Sequence, residues 1–285
     1  MKIEVQLSGR LGNQLFQWSF AHLLSKQFGV PIGLFGDKYH QQISSDSEIL
    51  QFLDCGHVKF SGNRSVLGFQ LKTFDRLSLI NPELAIKFAQ MCNWNRSMDA
   101  YTFPDNLNKG LKFTGFFQNY HQVASSSDVI DGELSKITGS VYANLGQSLP
   151  KRYQFVHVRR GDLKHLSKSF GLLSTKWYED NLDDSIEIIA STDDMNASQE
   201  VFSRIKPKVI LNPEQYSPLQ ALSVMGNASR LVMGNSTLSW WGGYLAGLRG
   251  AEVIFPHPFF ANNYDITEKL CQPNFSPRKS DFILD

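Results

Sequence analysis

The sequence predicts an α/β fold in which parallel sheets carry helices on both faces, and three observations lead there. Short apolar, β-branched runs alternate with stretches of helical periodicity through the second half of the chain. Polar, glycine- or proline-bearing loops punctuate that alternation at the short spacing of strand–helix–strand units. Both halves begin strand, loop, helix, which argues for two Rossmann-like domains rather than one.

The elements follow in order. Ile3, Val5 and Leu7 alternate as in a short strand, and GRLGNQ at 9–14 supplies a glycine turn. Leu15, Phe16, Phe20, Leu23, Leu24 and Phe28 then recur at helical spacing until Gly29 and Pro31 stop the helix. Residues 33–110 hold polar loops and short apolar stretches with little rhythm. LKFTGFFQNY at 111–120 reads as a strand ending in an aromatic loop. GQSLPKR at 146–152 breaks the pattern and sets the domain division at 1–148 and 149–285.

Beyond that division the rhythm is clearer. Residues 155–158 form a strand, and Ser174 caps a helix running through Trp177, Tyr178, Leu182 and Ile186. Residues 187–192 form a strand, 201–205 lie in a helix, and 209–211 form another strand. Ser217 and Pro218 open a helix that carries Leu219, Leu222 and Met225. Residues 231–233 are a strand, 239–248 a helix closed by Gly250, and 251–255 a final strand. No short-period repeat is present.

Composition narrows the function classes. The 285 residues are 42% hydrophobic and 19% charged with a formal net charge of +1, so a bulk electrostatic partner such as duplex DNA is not indicated. Basic residues that matter act locally. Cys55, Cys92 and Cys271 are few and far apart, so neither a disulfide framework nor zinc-ligand spacing emerges. The N-terminus enters a strand pattern directly, without signal-peptide character, and no apolar run reaches the ~18 residues of a membrane span. The expectation is a cytoplasmic protein.

The chemistry concentrates in four stretches. Arg159 and Arg160 follow the strand at 155–158, and ligands of open α/β sheets bind beyond the carboxyl ends of strands. Guanidinium forks bind phosphate bidentately and stay charged at any working pH. The plainer alternative pairs one arginine with Asp162 and leaves the other solvated. In GNSTLSWWGG at 234–243, Asn235, Ser236 and Thr237 open a helix whose free N–H groups and hydroxyls suit an anion; ordinary capping, with Trp240 and Trp241 in the core, is the alternative. Gly242 and Gly243 inside that helix suggest close approach to another backbone.

GRLGNQ is not the G-x-G-x-x-G fingerprint, and no Walker A loop exists. Its glycines permit backbone near a ligand, while Asn13 and Gln14 suit either a sugar hydroxyl or a cap. Asp193 and Asp194 end the strand at 187–192 on the same rim as Arg159. No Asp-x-Asp occurs, which favours a phosphate site neutralised by arginine and a helix start rather than by metal. His157 suits either the site or the core, and His22 reads as structural.

Taken together, GRLGNQLFQ, GFFQ, HVRRGD, STDD and NSTLSWWGGYLAG resemble the bacterial α-1,2-fucosyltransferases of glycosyltransferase family 11 type, in the family's order across nearly the whole chain. HxRRxD is shared with α-1,6- and protein O-fucosyltransferases, whereas GxxGNQLFQ with NSTxSWWG is narrower. Leu163 stands where an aromatic often follows, and GFFQ replaces a more usual GYFQ or GYWQ. The resemblance implies a GT-B architecture, two Rossmann-like domains facing a cleft, with the donor on the C-terminal side and the acceptor on the N-terminal side. It implies inverting, metal-independent transfer of L-fucose from GDP-L-fucose to the 2-hydroxyl of a galactose-terminated glycan, such as a lipid-linked O-antigen unit at the inner membrane face, with no cofactor.

By motif position the resemblance makes Arg159 and Asn13 catalytic. Arg10, Gly12, His157, Arg160, Asp193, Asp194, Asn235, Ser236 and Thr237 become donor-binding residues, and Asp162 orients the arginines. No base is singled out among His121, Asp37 and Asp99, and a dissociative route needs no strong one. The rival readings are a fucosyltransferase of α-1,6 or nodulation type and a non-enzymatic nucleotide- or glycan-binding protein.

Overall fold

The computed structural model describes residues 3–37, 43–44, 47–52, 57–64, 94–96, 111–161, 170–262 and 264–283. The chain divides into two compact units, Met1–Glu133 and Leu134–Asp285.

The first unit is built on a parallel five-stranded sheet in the order β3-β2-β1-β5-β4. Its strands are β1 (Ile3–Leu7), β2 (Ile32–Asp37), β3 (Val58–Arg64), β4 (Trp94–Arg96) and β5 (Leu111–Thr114). Ile3 pairs with Ile32 on one side of β1 and with Leu111 on the other. As the central strand, β1 is covered on both faces, so even Glu4 and Gln6 are buried in its alternating pattern. Helix α1 (Leu11–Phe28) follows β1 and ends at Gly29, whose φ of 63° lets its N–H return to the Ser25 carbonyl. Helix α2 (Tyr120–Ser125) follows β5, and α3 (Ser127–Leu145) runs across the division between the units.

The second unit contains β6 (Gln154–Val158), β7 (Leu172–Leu173), α4 (Thr175–Asp180), β8 (Ile188–Thr192), α5 (Met195–Ile205), β9 (Val209–Leu211) and α6 (Pro218–Met225). It continues through β10 (Arg230–Val232), α7 (Thr237–Leu248), β11 (Glu252–His257), α8 (Tyr264–Leu270), β12 (Phe275–Lys279) and β13 (Phe282–Ile283). The six-stranded sheet is parallel throughout, in the order β12-β11-β10-β6-β8-β9. Counted from β6 and read from β9, this is the doubly wound order 3-2-1-4-5-6, with its topological switch between β6 and β10.

Both faces of this sheet are packed. Val156, Val158, Ala190, Val232 and Ile254 form a core with Trp177 and Tyr178 of α4 and with Val201, Phe202 and Ile205 of α5. Met233 and Val253 alternate to the opposite face, where α7 sits. A Cβ at Gly243 would lie 3.0 Å from Val253 and 3.1 Å from the Met233 sulfur; one at Gly242 would lie 2.7 Å from Met225 of α6. The paired glycines therefore seat α7 against side chains, not against another backbone as the sequence suggested. Each fully buried large apolar side chain contributes about 1.5–3 kcal/mol to this layer.

Several elements differ from the sequence reading, three of them in ways that bear on the fold. The helix capped by Ser174 ends at Asp180, so Leu182 and Ile186 lie in the turn leading to β8. The strand at 252–257 is not the last, since β12 adds to the sheet edge beside it. Helix α3 has no counterpart in the reading.

Candidate active site

In the second unit the switch point is lined by the chain leaving β6 and the chain leaving β10, neighbouring strands whose connections run to opposite sides. β6 delivers His157 and then Arg159, Arg160 and Gly161. β10 delivers Met233, Gly234, Asn235 and Ser236 to the start of α7. A Cβ at Gly234 would lie 2.6 Å from the His157 carbonyl oxygen, so only glycine lets the two exits approach this closely.

β8 adds the residue that shapes the loop. The Oδ1 of Asp193 accepts the backbone N–H of Arg160 at 2.8 Å and that of Gly161 at 3.0 Å. Its Oδ2 lies 2.5 Å from Nη1 of Arg159, with both side chains only 14% exposed. Burial alone would raise the carboxyl pKa. The Arg159 guanidinium and the two amides outweigh burial and hold it below the ordinary carboxylate range. Gly161 is required here as well, because a Cβ would land on the same carboxylate.

The two arginines do not form one fork. Strand alternation sends them to opposite faces: Arg159 to Asp193, and Arg160, buried, to a position with its guanidinium carbon 5.9 Å from the Tyr178 ring centroid. Arg160 also donates to the Arg159 carbonyl at 3.3 Å. Asp162 lies outside the described residues, and the carboxylate seen to orient the arginine loop is Asp193. Asp194 serves α5 as its N-cap, accepting the Ala197 N–H at 2.9 Å.

His157 is buried, and burial lowers its pKa to about 4; Asp193 works against that shift and Arg159 with it. Its imidazole is neutral at ordinary pH, and Nδ1 has no hydrogen-bond partner. Ser191, its register partner on β8, likewise has an unbonded buried hydroxyl. Asn235 donates to the carbonyls of Phe170 at 3.1 Å and Gly171 at 2.9 Å, while its own Oδ1 is unbonded. Buried polar atoms without partners are uncommon in native proteins, and three of them line this one rim.

Helix starts are treated unequally. Asn119, Ser174, Asp194 and Ser217 cap α2, α4, α5 and α6 through their side chains. Arg10 before α1 and Ser236 before α7 make no such bond, and neither first turn carries an acidic residue. Both helix starts keep their positive character. Ser236 and Thr237 stand half-buried at the α7 start.

The first unit has a comparable rim. Asn13, in the first turn of α1, accepts from Gln118 Nε2 at 3.0 Å, and Gln14 Nε2 donates to the Gly9 carbonyl at 2.8 Å. Gln17 accepts the Ser8 N–H and donates to Ser8 Oγ and the Gly115 carbonyl, each at 2.8 Å. The GRLGNQLFQ and GFFQ stretches are thus one hydrogen-bonded assembly, with Gly12 buried in it and Arg10 exposed beside it. Sequence reasoning missed Ser191, Gln17 and Gln118. The two glutamines close the motifs that carried the resemblance, and the alternation that selects His157 also selects Ser191.

Among the base candidates, His121 is exposed at the start of α2, Asp37 ends β2, and Asp99 lies outside the described residues. Among the described residues no three His, Cys, Asp or Glu side chains cluster as a metal site requires, and no helix is long and apolar enough to cross a membrane.

This arrangement brings Arg159, ion-paired with Asp193, and a helix start without a side-chain cap to the ends of adjacent strands, and leaves unbonded polar atoms on His157, Ser191 and Asn235. Comparison with known proteins points the same way. Residues 94–269 match the family model described as Glycosyl transferase family 11. The chain is 25% identical over 294 residues to the O-antigen biosynthesis glycosyltransferase WbnK of Escherichia coli, covering 90% of this chain and 94% of that protein. It is 21% identical over 283 residues to an alpha-1,2-colitosyltransferase of Escherichia coli, with coverage of 90% and 92%. Among solved structures, a glycosyl transferase family 9 protein from Veillonella parvula DSM 2008 superposes with a TM-score of 0.50 at 12% identity, covering 98% of this chain and 86% of that one. The fold is α/β of GT-B type, with two Rossmann-like units.

Proposed function

This chain belongs to glycosyl transferase family 11 and is a glycosyltransferase, and from that premise we propose that it moves L-fucose from GDP-β-L-fucose to the 2-hydroxyl of a terminal β-galactoside, with inversion and without a metal. One observation carries the reading: Arg159, held by Asp193, lies at the switch point where β10 delivers the uncapped start of α7. A guanidinium and a helix N-terminus meeting at such a point suit the diphosphate of a sugar nucleotide.

The roles follow from chemistry. As the glycosidic bond to GDP breaks, negative charge grows on the β-phosphate. Arg159 strengthens its contact as that charge grows, which stabilises the transition state more than the bound substrate. Asp193 fixes the plane of the guanidinium beforehand, so little reorganisation is needed during reaction. Ser236, Thr237 and the α7 amides share the diphosphate. His157, Ser191 and Asn235 give their unbonded atoms to the nucleotide, with the loop carrying Arg160 and Gly161 beside them. In the first unit, Arg10, Gly12 and Asn13 face the fucose and its phosphate, and that unit takes the acceptor. The donor unit is the C-terminal one.

The biological setting in this reading is synthesis of O-antigen or another surface polysaccharide, supported by the E. coli relative's description. The protein then works on the cytoplasmic side, at the membrane surface where lipid-linked acceptors lie. A second donor is favoured by the other relative, a colitosyltransferase. Colitose lacks the 3-hydroxyl of fucose, so the two donors differ by one polar contact.

Incubating the purified chain with GDP-L-fucose or GDP-colitose and a panel of β-galactosides, with and without EDTA, tests all of this. The expected result is an α-1,2-linked fucosyl product, unaffected by EDTA, with GDP released only when a galactoside is present. Another linkage, an EDTA-sensitive reaction, preference for GDP-colitose or absence of transfer would each overturn the corresponding part.

A further inference from the structure

Phe116 is 37% exposed, the most open aromatic side chain among the described residues. Everything around it is fixed. The Gly115 carbonyl is held by Gln17, Gln118 is bonded to Asn13, and Asn119 caps α2 through the His121 N–H at 2.8 Å. Phe117 is fully buried and stacks on Phe20, with ring centroids 3.9 Å apart and planes 10° from parallel.

That packing has a cost. Phe117 adopts φ of 51°, a left-handed conformation that bulky residues rarely take and that costs on the order of 1–3 kcal/mol. In this fixed loop Phe117 is buried while its neighbour Phe116 is exposed. The loop also leaves the carboxyl end of β5, beside β1, whose own carboxyl end carries Arg10 and Asn13. That is the edge at which open α/β sheets hold ligands.

An apolar ring fixed next to side-chain amides matches a sugar, which offers one C–H face and a rim of hydroxyls. We propose that Phe116 is the platform on which a sugar ring of the acceptor stacks, and so a residue that sets acceptor specificity. This rests on the fucosyltransferase reading and deepens it.

The test is steady-state kinetics of wild type, Phe116→Ala and Phe116→Trp with GDP-L-fucose and the β-galactoside that wild type turns over fastest, alongside Tm and GDP affinity. Phe116→Ala should raise the acceptor KM about tenfold, the effect of losing about half the burial of a phenyl ring. The donor KM, GDP affinity and Tm should stay at wild-type values, and Phe116→Trp should restore the acceptor KM. If wild type transfers fucose but Phe116→Ala keeps its acceptor KM, or loses donor KM to the same degree, the platform is refuted and the functional reading stands. If wild type transfers fucose to no galactoside, both fall.

Discussion

The carboxylate of Asp193 lies 2.5 Å from Arg159 and accepts the backbone N–H groups of the two residues that follow it, so one side chain fixes both the charge and the path of the arginine loop. In Asp193→Asn the carbonyl can still accept from the amides, but the charge that orients Arg159 is gone. Turnover should fall about tenfold or more while the protein stays folded. Gly161→Ala, whose new methyl lands on the same carboxylate, should reproduce that defect with little change in Tm. Measured kcat and Tm near wild type for both variants would show that Asp193 does not position the loop.

Arg159→Lys should keep the fold and lose about 100-fold to 1000-fold in kcat, the range seen when one transition-state donor is removed. Lysine keeps the charge but not the planar fork. A folded Arg159→Lys protein with near-normal turnover would remove Arg159 from the mechanism.

Gly234→Ala puts a methyl 2.6 Å from a backbone oxygen, that of His157, which no rotamer change can relieve. Stability should drop by about 1–3 kcal/mol in denaturant unfolding. Unlike Gly161→Ala, the loss should appear in the stability curve as well as in the rate. An unchanged midpoint would mean that the β6 and β10 exits are not packed so tightly.

Stability should also fall with acid in a defined window. His157 and His22 are buried, and burial lowers each pKa from 6.5 to about 4. The unfolded chain takes up these protons first, so the native state is favoured fully above about pH 6.5 and progressively less down to about 4. Each histidine contributes up to about 3 kcal/mol across that window. His157→Gln should flatten the pH dependence by roughly half. The Asp193 carboxyl, held below its ordinary value, has the usual carboxylate sign, and its contribution disappears only at lower pH. A stability profile flat from pH 4 to 6.5 would contradict this.

Much of the fold was legible because local signals agreed with tertiary structure. Ser217 forms a full capping box with Gln220, Pro218 takes the N1 position, and Gly29 ends α1 in the left-handed conformation. Where the reading failed, a physical competitor explains why. Pro277 speaks against a strand, yet β12 is the sheet edge, where proline is tolerated. Helix α3 carries Gly132 and Gly139 and many polar residues, which blurs its period. In the site, spacing could place Arg159 at a strand end but offered Asp162 as the arginine partner, whereas the structure pairs Arg159 with Asp193. That pairing depends on β8 lying beside β6, whose register partners are 34 residues apart in the chain. Arg160 was read as a second donor contact, and the structure buries it with its guanidinium carbon 5.9 Å from the Tyr178 ring centroid. The exposure of Phe116 was hidden because two adjacent phenylalanines look alike in sequence, and only the tertiary fold buries one and leaves the other open.

In the proposed mechanism Arg159 and the α7 start hold the β-phosphate of the donor. Calorimetric titration of GDP and GMP into wild type and Arg159→Ala tests it most directly, since GMP lacks that phosphate. Arg159→Ala should bind GDP at least about tenfold more weakly than wild type, a loss of about 1.4 kcal/mol or more, and should bind GMP with wild-type affinity. Equal GDP affinity in the two proteins, or an equal loss for both nucleotides, would contradict the account.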